Sequence, residues 1–220
     1  IGYFEGLLNG EGSIGMVEGT FRDVLADNLN TEVSLRTVKC VNTAVAFYKS
    51  SFGFVRLKKK LAAQELDRRV YEEIQSSLDL LKKLKTIELG NVITPTKLGV
   101  DLARQNISVK SLVILINQKD NLSNRDVVAV ISQIEEFKSF SPKQTERKQL
   151  REIATKLARP FKNAVSSCSI KCEVLIRAFI ENIVVDNWDL KRQQRECVLI
   201  AIRALLCLKT VVVENKESSV

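Results

Sequence analysis

The spacing of apolar residues predicts a chain that is almost entirely helical. From residue 20 onward, apolar side chains recur every three or four positions, which is the repeat of a helix with one buried face. One helix is expected to begin near residue 20, and a second is expected to begin at Asn42, a suitable N-cap, and to run to Leu57. The clearest repeat predicts a helix over 62–85, carried by Leu66, Val70, Ile74, Leu78, Leu81 and Leu84.

One segment interrupts the helical repeat. Residues 86–94 contain two short β-prone runs on either side of Gly90 and Asn91, which predicts a β-hairpin whose turn uses positive φ angles. Three helices followed by a hairpin are the outline of a winged helix, and Pro95 is expected to end it.

Every segment after Pro95 has a helical pattern. We predict helices over 96–105, 109–118, 124–138, 143–158, 170–183 and 189–213. Their expected N-caps are Ser108, Ser123, Ser141 and Asp189, with Pro142 at a first helical position. The predicted fold is therefore mainly α, with a winged-helix domain over 21–95 and an α-helical bundle over 96–220 that ends in a long helix.

Composition narrows the possible chemistry. The chain has no histidine, which excludes Ser-His-Asp and Cys-His catalysis and metal sites with histidine ligands. Its five cysteines form no CxxC pair, so we expect reduced thiols and no metal site; Cys197 and Cys207 lie in an apolar helical run. No apolar run is long enough to span a membrane, and we expect a soluble intracellular protein that is part of a longer chain, since it begins at Ile1.

Residues 10–15 (GEGSIG) match the GxGxxG spacing of a dinucleotide-binding loop. Such a loop follows a strand, whereas the residues before Gly10 resemble the end of a helix. Acidic residues also surround the loop, where a pyrophosphate needs positive potential. We interpret the match as coincidence.

Charge is distributed unevenly along the chain. The net charge is +8, yet residues 1–35 carry one base and six acids, so the basic excess lies entirely in the remaining residues. Such an excess favours a polyanionic partner, either nucleic acid or an anionic membrane surface, although a solvated Lys/Arg-rich surface gives the same count.

The predicted last helix is long and apolar but is interrupted by arginines. Arg192 and Arg203 are three turns apart and share a face, and Arg195 lies one turn along from Arg192. Because a buried guanidinium is costly unless it reaches water or an anion, this helix is either half exposed with solvated arginines or aligned with a phosphate backbone.

Several segments, in this order, resemble the C-terminal half of Ski-like superfamily-two helicases, which contains a Sec-type homology region. The winged-helix part is similar to the family over 3–10 (YFEGLLNG), 29–33 (LNTEV), 42–56 (NTAVAFYKSSFGFVR) and 94–99 (TPTKLG). The bundle is similar over 136–137 (EF), 146–153 (ERKQLREI) and 171–179 (KCEVLIRAF). The meiotic crossover DNA helicases fit best, the spliceosomal helicase branch is close behind, and the branch of transcription coactivators and ribosome rescue is third.

The resemblance implies a mechanism and a set of partners. In such helicases, two RecA-like motor domains bind and hydrolyse ATP with Mg²⁺, while the winged helix and bundle enclose one translocating strand. It implies that residues 1–20 are the tail of the motor and that Lys191, Arg192, Arg195 and Arg203 contact a single strand or unwinding duplex in the nucleus. No GxxxxGK[ST] loop occurs in the chain, so we expect no catalytic residue here and no ATPase activity from the chain alone.

Two departures from the family pattern affect the predicted contact. The family's NPxxYG segment is missing after Arg56, and Ile200 stands where the long helix commonly has the first of two arginines, so that only Arg203 remains. A catalytically inactive protein-interaction cassette is therefore an alternative. An independent DNA-binding winged helix is a third hypothesis, disfavoured because the 62–85 helix mixes acids with its bases.

Overall fold

The computed structural model describes residues 20–118, 127–158 and 165–217. The glycine-rich loop at 10–15 and the predicted cap Ser123 lie outside them. The fold is mainly α, as predicted. In chain order its helices are α1 (Leu25–Ser34), α2 (Val41–Lys49), α3 (Phe52–Lys60), α4 (Ala63–Lys83), α5 (Lys97–Gln105), α6 (Val109–Gln118), α7 (Val127–Ile131), α8 (Arg147–Lys156), α9 (Cys168–Ile180) and α10 (Trp188–Glu217). The 3₁₀ turns are Thr20–Arg22, Glu135–Ser139 and Gln144–Glu146.

The winged helix is formed by α1, α2 and α4 with an antiparallel hairpin of β1 (Ile87–Leu89) and β2 (Ile93–Pro95). The predicted helix over 62–85 is confirmed as α4. The predicted hairpin is also confirmed, but its turn differs. Leu89 pairs with Ile93, which leaves a three-residue connection in which neither Gly90 nor Asn91 has a positive φ angle.

The single helix predicted from Asn42 to Leu57 is wrong, because serines divide it into α2 and α3. Ser51 Oγ donates to the Tyr48 carbonyl at 2.7 Å and accepts from Phe54 N at 3.2 Å, so it caps the start of α3. Asn42 is not the cap of α2. Cys40 holds that position, where its N–H donates to Thr43 Oγ1 at 3.0 Å.

Two predicted helices of the bundle also differ from the structure. The helix expected over 124–138 is interrupted after α7, where the Glu135 N–H donates to the side chain of Ser111 at 2.9 Å and a 3₁₀ turn follows. Ser141 and Pro142 precede another 3₁₀ turn, because the Glu146 carboxylate accepts from Lys143 N at 3.0 Å and shifts the start of α8.

Of the two remaining predicted N-caps, one is confirmed and one is wrong. Ser108 is confirmed, since its Oγ accepts from Ser111 N at the start of α6. The prediction that Asp189 caps the last helix is wrong. Asn187 caps α10, because its Oδ1 accepts from Leu190 N at 3.0 Å. Asp189 lies in the first turn of the helix instead.

The winged helix joins the bundle at Gly99, in the first turn of α5. Its carbonyl accepts from Asn30 Nδ2 at 2.9 Å, and its N–H donates to Thr96 Oγ1 at 3.1 Å. A Cβ on Gly99 would lie 2.0 Å from the Thr86 carbonyl oxygen, so only glycine fits without displacing backbone. Asn30 and Gly99 belong to two of the segments, 29–33 and 94–99, that resemble the helicase family.

Candidate nucleic-acid interface

The predicted site lies on α10, which packs against α9 and α5 and, less extensively, against α6 and α7. The buried side of α10 is a regular stripe in which spacings of four and three residues alternate, as in a helix with one packed face. It consists of Leu190, Gln194, Cys197, Ala201, Ala204, Leu208 and Val211, and Cys207 and Thr210 are buried beside it.

Polar contacts at both ends of α10 fix its rotation about its own axis. Gln194 Nε2 donates to the Leu175 carbonyl of α9 at 3.1 Å, and Thr210 Oγ1 donates to Asp101 Oδ2 of α5 at 2.8 Å. Between them, the thiols of Cys197 and Cys172 lie 3.7 Å apart, and both cysteines are free and fully buried. This agrees with the expectation of reduced thiols. The hydrogen bond to Cys197 and burial raise the pKa of Cys172, so its thiol stays protonated.

A buried ion pair anchors the first turns of α10 to the rest of the bundle. Lys171 Nζ of α9 lies 2.6 Å from Glu146 Oε2, and both side chains are buried. The second carboxylate oxygen accepts from Gln193 Nε2 of α10 at 3.0 Å. Burial alone raises the pKa of Glu146, but the hydrogen bonds from Lys171, the Lys143 backbone and Gln193 outweigh it and hold that pKa below its ordinary value.

Three of the four predicted site residues come together on the exposed side of the first two turns of α10. Lys191, Arg192 and Arg195 are all exposed there. The Arg192 guanidinium lies 3.7 Å from Glu196 and 5.8 Å from the centre of the Trp188 ring. Both contacts are at the surface, where an ion pair is weak and is readily exchanged for another anion.

Arg203 lies apart from these three, two turns beyond Arg195. It is half buried, and its Nη1 donates to the carbonyl oxygen of Gln105 at 3.4 Å. Gln105 is the last residue of α5, so the guanidinium stands at a helix carboxyl end, where carbonyl groups lack helical partners. One of the five N–H groups of Arg203 is used there.

Two features of this surface were not predicted from the sequence. Trp188, the only tryptophan in the chain, is 71% exposed beside Arg192; its position four residues before Arg192 was the available signal. Farther along α10, Leu199, Ile202 and Leu206 are exposed although they lie in an apolar run. Periodicity shows that an apolar face exists but does not show which apolar residues remain uncovered.

The relation of this chain to known proteins is decided by its second half. Residues 95–220 match the model of the Sec63 Brl domain, which is more than half of the chain and includes all of α10. The chain belongs to the Sec63 Brl domain family. The resemblance to the C-terminal region of Ski-like superfamily-two helicases is confirmed.

The relatives of this Sec63 Brl domain chain include proteins named as helicases. It is 31% identical to the ATP-dependent DNA helicase MER3 of Saccharomyces cerevisiae over 162 residues, which are 68% of this chain and 13% of the relative. It is 27% identical to the U5 small nuclear ribonucleoprotein 200 kDa helicase of Caenorhabditis elegans, over 80% of this chain and 9% of that protein. An activating signal cointegrator 1 complex subunit 3-like protein of Dictyostelium discoideum is 24% identical over 86% of this chain and 9% of its own length. The chain thus spans about a tenth of the length of these relatives.

The exposed side of the first two turns of α10 in the Sec63 Brl part carries three cationic side chains. Within residues 20–118, 127–158 and 165–217, no three or more cysteine, aspartate or glutamate side chains are grouped so as to hold a metal ion. No described helix is both long and apolar enough to cross a bilayer. Clustered guanidinium and ammonium groups beside an exposed aromatic ring are suited to phosphates and bases.

Proposed function

We propose that this chain is the nucleic-acid clamp of an ATP-dependent helicase and that it holds a single strand against α10. The observation that carries the proposal is the grouping of Lys191, Arg192 and Arg195 on the exposed side of a helix whose other side is fixed to the bundle. A rigid helix presents charges at constant positions, and a clamp needs this in order to hold a strand between motor steps.

The chemistry of the strand contact follows from these side chains. Lys191, Arg192 and Arg195 bind phosphates, and the Trp188 ring stacks on a base, a contact worth about 1–3 kcal/mol. Arg203 lies about 16 Å along the helix from Arg192 at 1.5 Å per residue, and it contacts the same backbone farther on. Its remaining N–H groups point away from the Gln105 carbonyl in the fork geometry of a guanidinium.

The other parts of the mechanism lie outside residues 1–220. ATP and Mg²⁺ bind in two RecA-like motor domains, and this chain contributes strand binding and no catalytic residue. We further propose that the strand is DNA and that the protein acts in the nucleus, in recombination of the meiotic type. The 31% identity to a DNA helicase supports this choice. An RNA strand is the alternative, supported by the 27% identity to the U5 helicase.

A second candidate function is a protein-interaction cassette without nucleic-acid affinity. It is favoured by the exposed Leu199, Ile202 and Leu206, since contiguous exposed aliphatic side chains often mark a protein interface. The two functions predict different ligands for the same helix.

Fluorescence anisotropy with a labelled single-stranded DNA and an RNA of the same sequence separates these candidates. We expect Arg192→Ala to weaken DNA binding about tenfold, as for loss of a charge-assisted contact. Arg68→Ala is the matched control, because Arg68 is also exposed and lies 3.7 Å from the glutamate four residues later, as Arg192 does. Equal effects of the two substitutions, or no binding by the unchanged chain, contradict the clamp and favour the cassette.

A further inference from the structure

The winged helix contains a groove that the proposed strand contact does not use. It has a volume of about 690 Å³ and lies between the Thr20–Arg22 turn, α3 and α4. We call it the α3 groove. Its apolar lining comes from Phe21, Phe52, Val55 and Leu57, and its basic lining from Arg22, Arg56, Lys59, Lys60 and Arg69.

The apolar lining of the α3 groove is unusually exposed. The helix α3 has no fully buried residue, and Phe52 and Val55 on it are 74% and 47% exposed. At the same time the helix approaches Phe21 closely, since a Cβ on Gly53 would lie 3.1 Å from the Phe21 ring. The groove is therefore narrow at one edge and apolar along its floor, which suits an inserted apolar side chain.

Among the residues that the structure describes, the charged side chains lining the α3 groove are nearly all positive. Glu73 is the one acidic residue among these described lining residues, and its carboxylate is already engaged. It lies 3.0 Å from Arg22 and 3.2 Å from Arg69, and it accepts from the Tyr48 hydroxyl at 2.7 Å. Among the described residues, no carboxylate lies within 4.0 Å of a side-chain nitrogen of Arg56, Lys59 or Lys60. The groove thus has three cationic side chains available to an incoming acid.

We propose that the α3 groove binds an acidic segment of a partner protein. An aromatic or aliphatic side chain of the segment packs against Phe21, Phe52 and Val55, and its carboxylates pair with Arg56, Lys59 and Lys60. Complementary charge and an apolar anchor are the usual elements of recognition of a short segment by a groove.

The geometry of the α3 groove favours a protein segment over a nucleic-acid strand. The guanidinium of Arg56 lies 5.6 Å from the centre of the Phe52 ring, so a cation already stands beside the apolar floor, where it can pair with a carboxylate next to an inserted side chain. The remaining floor is a concave aliphatic and aromatic surface, which gains more from burying an apolar side chain than from a sugar or phosphate.

The test uses the full chain and three fluorescein-labelled peptides. The first carries Phe and Leu at helical spacing between glutamates, the second has lysine in place of each glutamate, and the third has serine in place of Phe and Leu. We expect the first peptide to bind at least about tenfold more tightly than either control, because only it supplies both the anchor and the charge.

Substitutions on α3 then locate the binding. Phe52→Ser and Arg56→Glu each weaken the first peptide about tenfold or more. Both side chains are at least partly exposed, and circular dichroism verifies that the variants fold. Phe179→Ser and Lys82→Glu, at exposed positions outside the groove, are the controls and change the affinity little. Three outcomes overturn the proposal: no binding of the first peptide, equal binding of all three, or displacement of the first peptide by a single-stranded oligonucleotide.

Discussion

Arg203 donates from Nη1 to the carbonyl oxygen of Gln105, the last residue of α5, at 3.4 Å. The next residue, Asn106, has a left-handed backbone with φ of 50°, which ends the helix and leaves its last carbonyls without partners inside it. A cation at this position is favoured by the negative end of the helix dipole. Arg203 therefore joins α10 to α5 in addition to the strand contact proposed for it.

Replacing Arg203 is expected to lower the stability of the folded chain. Arg203→Ala removes a cation from the end of α5, and we expect the free energy of unfolding to fall by about 0.5–1 kcal/mol. Arg195→Ala, at an exposed position without this contact, is the control and leaves stability within about 0.5 kcal/mol. Urea denaturation measures the free energy of unfolding of the two variants. Equal stability of the two variants would show that the Gln105 contact contributes nothing.

Gly99 is expected to be intolerant of any side chain. Gly99→Ala places a Cβ 2.0 Å from the Thr86 carbonyl oxygen, so the junction between α5 and the hairpin must shift. We expect a loss of about 3 kcal/mol or more, at the upper end for overpacked sites. In Gly90→Ala, by contrast, the new Cβ lies 3.8 Å from its nearest neighbour, and little stability is lost. Thermal denaturation compares the two variants, and equal midpoint temperatures would contradict a steric conflict at Gly99.

The buried pair of Lys171 and Glu146 is expected to matter far more than a surface pair of the same length. Lys171→Met leaves an uncompensated carboxylate in the core and costs about 3–5 kcal/mol. Lys138→Met is the control: Lys138 lies 2.6 Å from Glu135, as Lys171 does from Glu146, but at the surface, and its loss costs less than about 1 kcal/mol. Similar losses in the two variants would mean that the core pair is solvated.

The same carboxylate predicts a pH dependence of stability. The pKa of Glu146 is below its ordinary value of 4.5 in the folded protein, so its charged form favours folding. This contribution is fully present above the ordinary pKa and is lost as the pH falls through the lower, folded pKa. Urea denaturation across the acid range is expected to show a steeper loss of stability in the unchanged chain than in Glu146→Gln. Parallel curves would rule out Glu146 as a source of acid sensitivity.

Apolar periodicity predicted most of the fold because one stripe of buried apolar residues runs along each long helix and marks its extent. The α4 repeat is an example: its predicted apolar positions from Leu66 to Leu81 are buried. The failures occur where a side chain competes for backbone groups. The hydrogen bonds of Ser51 divide one predicted helix into two, and the Ser111 hydroxyl ends another through the Glu135 N–H. Such competition depends on local geometry that periodicity does not contain.

The charged residues of the candidate site could be predicted from the sequence, but their positions relative to neighbouring elements could be predicted only in part. Helical spacing placed Arg192 and Arg203 on one face of the predicted last helix, and both residues lie in α10, where Arg192 is exposed and Arg203 is half buried. Spacing does not show that α5 ends beside Arg203, nor that Trp188 stays exposed next to Arg192. Both facts depend on where neighbouring elements stop. That all four predicted residues bind a strand remains a prediction.

The salt dependence of single-strand binding tests the clamp most directly. Each phosphate neutralised contributes about 0.7 to the slope of log K against log salt concentration for a single strand. The account predicts linear plots in which the double variant Arg192→Ala/Arg195→Ala has a slope smaller by about 1.4, while Arg68→Ala keeps the slope of the unchanged chain. Identical slopes for all three proteins would show that α10 does not contact the phosphate backbone.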